Sequence, residues 1–156
     1  MKDSSKEVVA FVKENDVKFI RLAFCDHVGV QKNISLQPGE LERAFESGIP
    51  FNAWELPGFH LPAGTKLLLR PDARTLSILP WRPSSGRVIR LFCDLMNADG
   101  TPYGGDTRAM LQKTVQDAAQ LGYSIRIGSA CEFYLFHTDE NGDPTNQPFD
   151  QGGYLD

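Results

Sequence analysis

The sequence predicts an α+β fold. Two runs rich in β-branched and aromatic residues, split by a two-residue turn, read as a β-hairpin, and a short helix follows at once, as at the start of an α+β layer arrangement. A later run, Arg87–Leu95, holds enough Val, Ile, Leu and Phe to lie in the middle of a sheet. Hydrophobic content of 41% and charged content of 23% are ordinary globular values. The 156 residues suffice for one domain, or for a small domain and part of a second.

The elements follow in order. Ser4-Ser5-Lys6-Glu7 has the capping-box pattern, and Val8, Val9, Phe11 and Val12 recur at helical spacing, so residues 5–14 are predicted as an amphipathic helix. Val17–Cys25 and Val28–Leu36 are the hairpin strands about Asp26-His27, with Gly29 marking a bulge just after the turn. Pro38-Gly39-Glu40 opens a second helix through Leu41, Ala44 and Phe45, and Gly48 is expected to stop it in a left-handed conformation. Pro50, Pro57, Gly58, Pro62 and Gly64 make residues 50–65 a long loop, of a length usually tied to function or mobility. Lys66–Arg70 and Thr75–Leu79 are strands joined by a turn at Pro71-Asp72-Ala73-Arg74, with Asp72 capping it. After the central strand, Asn97-Ala98-Asp99-Gly100 turns the chain. Asp106 or Thr107 then caps the longest helix, which runs to Gly122 with Met110, Leu111, Val115, Ala118, Ala119 and Leu121 as its apolar positions. Strands Tyr123–Gly128 and Cys131–His137 follow. The tail Asp139–Asp156 reads as loop or disorder, with Asp139–Asp143 as a hairpin tip.

Charge and cysteine usage narrow the function classes. The net charge of −4 offers no basic face to a phosphate backbone, so nucleic acid is not an expected partner. Cys25, Cys93 and Cys131 lie far apart inside apolar runs, without zinc-ligand spacing. With no signal peptide and no apolar run of about 18 residues, no membrane is expected and the chain is expected to be cytoplasmic. His27, His60 and His137 have no partner at ligand spacing and read as turn or surface residues.

One acid stands out. Alternation along residues 128–136 puts Ala130, Glu132, Tyr134 and Phe136 on one face, so Glu132 sits among apolar neighbours. A buried carboxylate costs several kcal/mol unless something cationic meets it. A hard metal ion or an arginine is the expected partner.

Several segments, taken in order, resemble the amino-terminal third of the glutamine synthetase family. They are Leu67-Leu68-Leu69-Arg70-Pro71-Asp72-Ala73-Arg74-Thr75 closing with Leu79-Pro80-Trp81; Cys93-Asp94 before Gly100-Thr101-Pro102 and Gly105-Asp106-Thr107-Arg108; and Gly128-Ser129-Ala130-Cys131-Glu132-Phe133. The resemblance covers about residues 15–156. It implies a β-grasp-like amino-terminal domain, 1–104, followed by the first helix and strands of an α/β catalytic domain, 105–156. It further implies an ATP-dependent ligase that joins the γ-carboxylate of glutamate to ammonia through γ-glutamyl phosphate. Mg²⁺ or Mn²⁺ would assist, because phosphoryl transfer develops charge on oxygens that such cations neutralise. Subunits would assemble into homo-oligomeric rings in which one subunit's amino-terminal domain completes its neighbour's active site.

Since family members run to several hundred residues, the chain is expected to be a fragment that lacks its catalytic portion, binds no cofactor and is inactive alone. It is also expected to associate into dimers or larger species through residues 106–137, where apolar surface would be left uncovered. Two departures bear on chemistry. Glu132 matches the second acid of the family's metal strand, but Ala130 replaces the first, so one carboxylate stands where two would hold cations. Phe51-Asn52-Ala53-Trp54-Glu55-Leu56 aligns with the family's ammonium latch, where Asn52 replaces an acid. A unit charge at 4 Å is worth about 4 kcal/mol at an effective dielectric near 20, so ammonium capture should weaken unless Glu55 substitutes. Trp54 could shape a pocket for a larger amine, or simply pack as a loop aromatic. Arg87 and Arg108 read as surface ion-pair residues. A rival reading is a non-catalytic β-grasp-like binding or assembly module.

Overall fold

A computed structural model describes residues 3–56, 58–81 and 86–153. Pro57 and the last three residues of the tail lie outside the described residues. The first compact unit extends to Tyr123 and a second, smaller one begins at Ser124.

In the first unit, helix α1 (Asp3–Glu14) leads into strands β1 (Val17–Cys25) and β2 (Gln31–Leu36). Helix α2 (Leu41–Ser47) and strands β3 (Ile49–Asn52), β4 (Lys66–Pro71), β5 (Ser77–Ile78) and β6 (Arg87–Met96) follow. The sheet order is β2-β1-β6-β4-β3. β6 is its central strand, as its composition predicts. Its first half pairs in parallel with β1, Ile20 opposite Ile89, and its second half antiparallel with β4, Leu69 opposite Leu95.

Alternation explains the core. Ile20 and Leu22 of β1, Leu67 and Leu69 of β4, and Ile89, Leu91 and Leu95 of β6 are buried in one cluster. Val8, Val9 and Val12 of α1 and Leu41 and Ala44 of α2 join it, which is why these helices form where isolated segments so short would not. Each fully buried Leu or Ile contributes about 2 kcal/mol.

Several local expectations are corrected. α1 begins at Asp3, so Ser4 lies in its first turn and does not precede the helix. The β1–β2 turn is longer than two residues. Asp26 N–H donates to Val30 O and Gly29 N–H to Asp26 O, each at 3.1 Å, and Gly29 supplies φ +84° for the bulge. A single helical turn at Pro38–Glu40 precedes α2. Gly48 ends α2 at φ 74°, ψ 169°, outside the left-handed helical basin. The predicted loop over 50–65 contains a strand, β3; Pro50 is tolerated there because β3 is an edge strand and needs no second set of amide donors. The bend between β4 and β5 does not reverse the chain, since both strands run antiparallel to β6. They act as one strand interrupted by the helical turn Ala73–Thr75.

Helix α3 (Thr107–Gln120) is capped by Asp106, whose Oδ1 accepts from Arg108 N–H at 3.0 Å. The other oxygen of Asp106 accepts from Leu95 N–H at 2.9 Å, so one buried carboxylate serves both helix and sheet. The apolar positions Met110, Leu111, Val115 and Leu121 are exposed.

In the second unit, β7 (Phe136–Thr138) and β8 (Pro144–Pro148) form a hairpin, so the tail is not structureless. Its tip is closed by Asp139 N–H donating to Asp143 O at 2.8 Å. The predicted strand Tyr123–Gly128 is absent and Cys131–His137 is reduced to β7. A strand needs a neighbour for its backbone groups, and among the described residues no strand lies along 123–135. No described helix is long and apolar enough to cross a membrane.

Candidate functional site

The stretch Asn52–Thr65 leaves the end of β3 and folds back on itself. Ala53–Glu55 form a helical turn closed by Leu56 N–H donating to Ala53 O at 3.1 Å. Phe59 N–H donates to Leu56 O at 3.0 Å, and Trp54 N–H reaches Thr65 O at 3.4 Å. Two apolar anchors hold the stretch down: Ala53 is fully buried, and Phe59 inserts into an aromatic group. The Phe59 ring centroid lies 6.2 Å from Phe24 and from Phe51, 4.9 Å from His27 and 6.4 Å from Tyr103.

Around Ala53 the polar side chains face outward. Asn52 Nδ2 donates to Glu55 Oε1 at 3.1 Å, and both residues are exposed. The amide holds one carboxylate oxygen and leaves the other open. Trp54, adjacent to Glu55 in the chain, is two-fifths exposed. An oriented carboxylate beside an indole can receive an ammonium group through charge and through the ring face.

The loop is seated on the β1–β2 hairpin. Asp26, buried at the hairpin tip, accepts from Val28 N–H at 3.1 Å and Val30 N–H at 2.8 Å, with Lys32 Nζ at 3.6 Å. Burial pushes its carboxyl upward, but the two amides together with Lys32 outweigh it and hold the group below the ordinary value. His27 N–H donates to Gly58 O at 3.3 Å. Gly58 lies so close that a Cβ there would stand 2.6 Å from Asp26 Cγ. Sequence reasoning missed this contact. The Asp-His-Val-Gly order signals a turn whose first residue caps its own backbone, but nothing local points to Gly58.

A second polar group joins α3 to the sheet. Arg108 Nη2 lies 2.7 Å from Asp72 Oδ2, and its Nη1 pairs with Asp94. Arg108 forms ion pairs as the sequence predicts, but it does so half-buried between α3 and the sheet and not on the open surface. Asp72 caps its turn as expected, accepting from Arg74 N–H at 3.1 Å, and also binds the Arg74 side chain. Arg74's hydrogen bonds, against the opposing effect of burial and with help from Arg108, hold Asp72 far below the usual carboxylate range. Arg87 Nη1 donates to Asn15 Oδ1 at 3.0 Å, and, after Lys18, its charge helps hold the neighbouring Asp16 carboxyl below the ordinary value.

Glu132 is placed differently from its expected setting. It is exposed in the irregular stretch before β7, so the buried strand face that would demand a partner does not exist here. No group of three or more His, Cys, Asp or Glu among the described residues is arranged to hold a metal ion. The described residues do not by themselves fit a divalent cation.

Comparison with known proteins completes the picture. Residues 16–98 match the family described as the glutamine synthetase β-grasp domain. A glutamine synthetase of Clostridium saccharobutylicum is 42% identical across 99% of this chain and 35% of its own length. That of Methanosarcina mazei is 40% identical across 98% of this chain and 34% of its own length. The chain thus spans about a third of the length of these curated relatives. Among solved structures, Plasmodium falciparum glutamine synthetase superposes with a TM-score of 0.66 at 19% identity over 76% of this chain and 23% of its own. Ligand-free GmaS gives 0.65 at 23% identity over 73% of this chain and 26% of its own. Both likenesses concern the fold, and they agree with the mixed sheet and helices described above. The match over 16–98 takes in every strand from β1 to β6 and the Asn52–Thr65 loop, and the chain belongs to the glutamine synthetase family by its β-grasp domain.

Proposed function

We propose that this chain is the amino-terminal part of an ATP-dependent ligase that joins the γ-carboxylate of glutamate to ammonia or another amine through γ-glutamyl phosphate. The observation that carries this reading is the exposed Asn52–Glu55 pair, adjacent in the chain to Trp54, in the stretch that resembles the family's ammonium latch. In this reading residues 1–104 are the β-grasp domain and 105–156 the start of a catalytic domain. Asn52 orients Glu55, and Glu55 supplies the negative charge that receives the amine. Neighbouring subunits of a homo-oligomeric ring supply the rest of the pocket, in a cytoplasmic setting. Glu132 becomes one ligand of Mg²⁺ or Mn²⁺ only in company with acids beyond those the described residues bring to it. Such a cation would neutralise phosphoryl oxygens; the part of the described residues is to bind and orient the amine.

Trp54 favours an amine larger than ammonia, because its exposed ring offers a surface to an organic substituent. ADP release by full-length protein, measured with glutamate and a panel from ammonia to bulky primary amines, tests the proposal. ADP should form only when glutamate and an amine are both present, and an alkyl amine should outperform ammonia. No turnover with any amine would contradict it and favour a non-catalytic assembly module, a reading that rests on the self-contained core of the first unit.

A further inference from the structure

We propose that Asp26 and Gly58 form a positioning pair that seats the amine-binding loop, an inference that rests on the ligase reading above. Asp26 Oδ1 accepts from both Val28 and Val30 N–H, so the tip carries hydrogen bonds of its own besides those it makes to the loop. The loop lays Gly58 against that carboxylate. A side chain there would lie 2.6 Å from Asp26 Cγ and Oδ2 and 2.7 Å from Cβ, so only glycine permits the approach. One hydrogen bond crosses the contact, from His27 N–H to Gly58 O.

The consequence reaches Glu55 through three residues. Phe59, next to Gly58, is the buried plug of the loop; its N–H donates to Leu56 O, and Leu56 N–H in turn donates to Ala53 O, the bond that closes the turn carrying Trp54 and Glu55. Lifting Gly58 by an ångström or more therefore moves the carboxylate meant for the amine. Neither Asp26 nor Gly58 faces the amine. Asp26 is buried, with Oδ1 accepting two backbone amides and Oδ2 facing Lys32 Nζ at 3.6 Å, so the pair acts on the reaction by placement alone.

The test uses full-length Gly58→Ala, with Gly39→Ala as control, since a methyl at Gly39 meets nothing within 4 Å. In Gly58→Ala the KM for the amine should rise about tenfold, with kcat at saturating amine and the KM for ATP changed less than about twofold. Backbone amides of 54–65 should exchange about tenfold faster, with β1 and β6 unchanged. Because an added methyl could unsettle the fold generally, Asp26→Asn serves as a second variant that keeps the shape. It should keep the amine KM within about twofold, because contact and not charge seats the loop. The inference is overturned by an unchanged amine KM in Gly58→Ala, by equal losses for ATP and amine, or by a tenfold rise in Asp26→Asn. Failure of the wild-type protein to turn over any amine overturns the ligase reading, and this inference with it. A wild type that turns over beside an unaffected Gly58→Ala overturns this inference alone.

Discussion

β6 and the stretch Ser124–Leu135 are both rich in β-branched, aromatic and aliphatic residues, yet one is the spine of a sheet and the other is irregular and exposed. β6 has β1 on one side and β4 and β5 on the other, so its amides and carbonyls are paired and Ile89, Leu91 and Leu95 reach a closed core. Ser124–Leu135 has no described strand beside it. Its Ile127, Phe133 and Tyr134 are more than two-thirds exposed. The difference lies in the neighbours and not in the residues: β-propensity describes fit to a half-buried pleated surface, and without that surface it has nothing to act on.

The largest effect should come from truncating each region in turn. Leu91→Ala empties a fully buried site and should cost about 3 to 4 kcal/mol by chemical denaturation. Phe133→Ala removes a larger side chain from an exposed position and should stay within about 0.5 kcal/mol. Comparable losses would erase the distinction between the regions.

A smaller effect is expected at the join. Arg108→Ala deprives Asp72 and Asp94 of their shared guanidinium in a half-buried setting, and should cost about 1 to 2 kcal/mol. Limited proteolysis should then cut α3 before it cuts the sheet. Cleavage beginning in β1 or β6 would show that Arg108 supports the core and not the helix alone.

The smallest effect is acid sensitivity. The carboxyl of Asp72 is held low by the hydrogen bonds of Arg74, against burial, and by Arg108. A carboxylate whose pKa is lower folded than unfolded stabilises fully above the unfolded value of about 4 and loses that contribution as pH falls further. Wild-type stability should therefore decline below about pH 4, and Asp72→Asn should decline less steeply while being weaker at pH 7. Parallel curves for the two proteins would remove Asp72 from the account.

Where local chemistry suffices, the sequence is informative. Val17–Cys25, the central position of β6, Asp72 as a turn cap and Asp106 as a helix cap all follow from residues a few places apart. Long-range partners are not legible in the same way. The seat that Asp26 offers Gly58 joins two turns 32 positions apart. Arg108 reaches back to Asp72, and neither residue announces the other. β3 was hidden by Pro50, which reads as a loop residue until β4 is known to lie on one side only. Glu132 shows the opposite case, in which alternation implies a face that exists only when a neighbouring strand defines it.

Amide hydrogen exchange on the 156-residue chain tests the central contrast most directly. Ile89 and Leu91 should exchange only on global unfolding, at least about a thousandfold slower than the unfolded rate, while Ser124–Leu135 exchanges near that rate. Protection of Ser124–Leu135 equal to that of β6 would mean that this stretch finds a strand partner in the chain or in a second copy, and the contrast drawn here would be wrong.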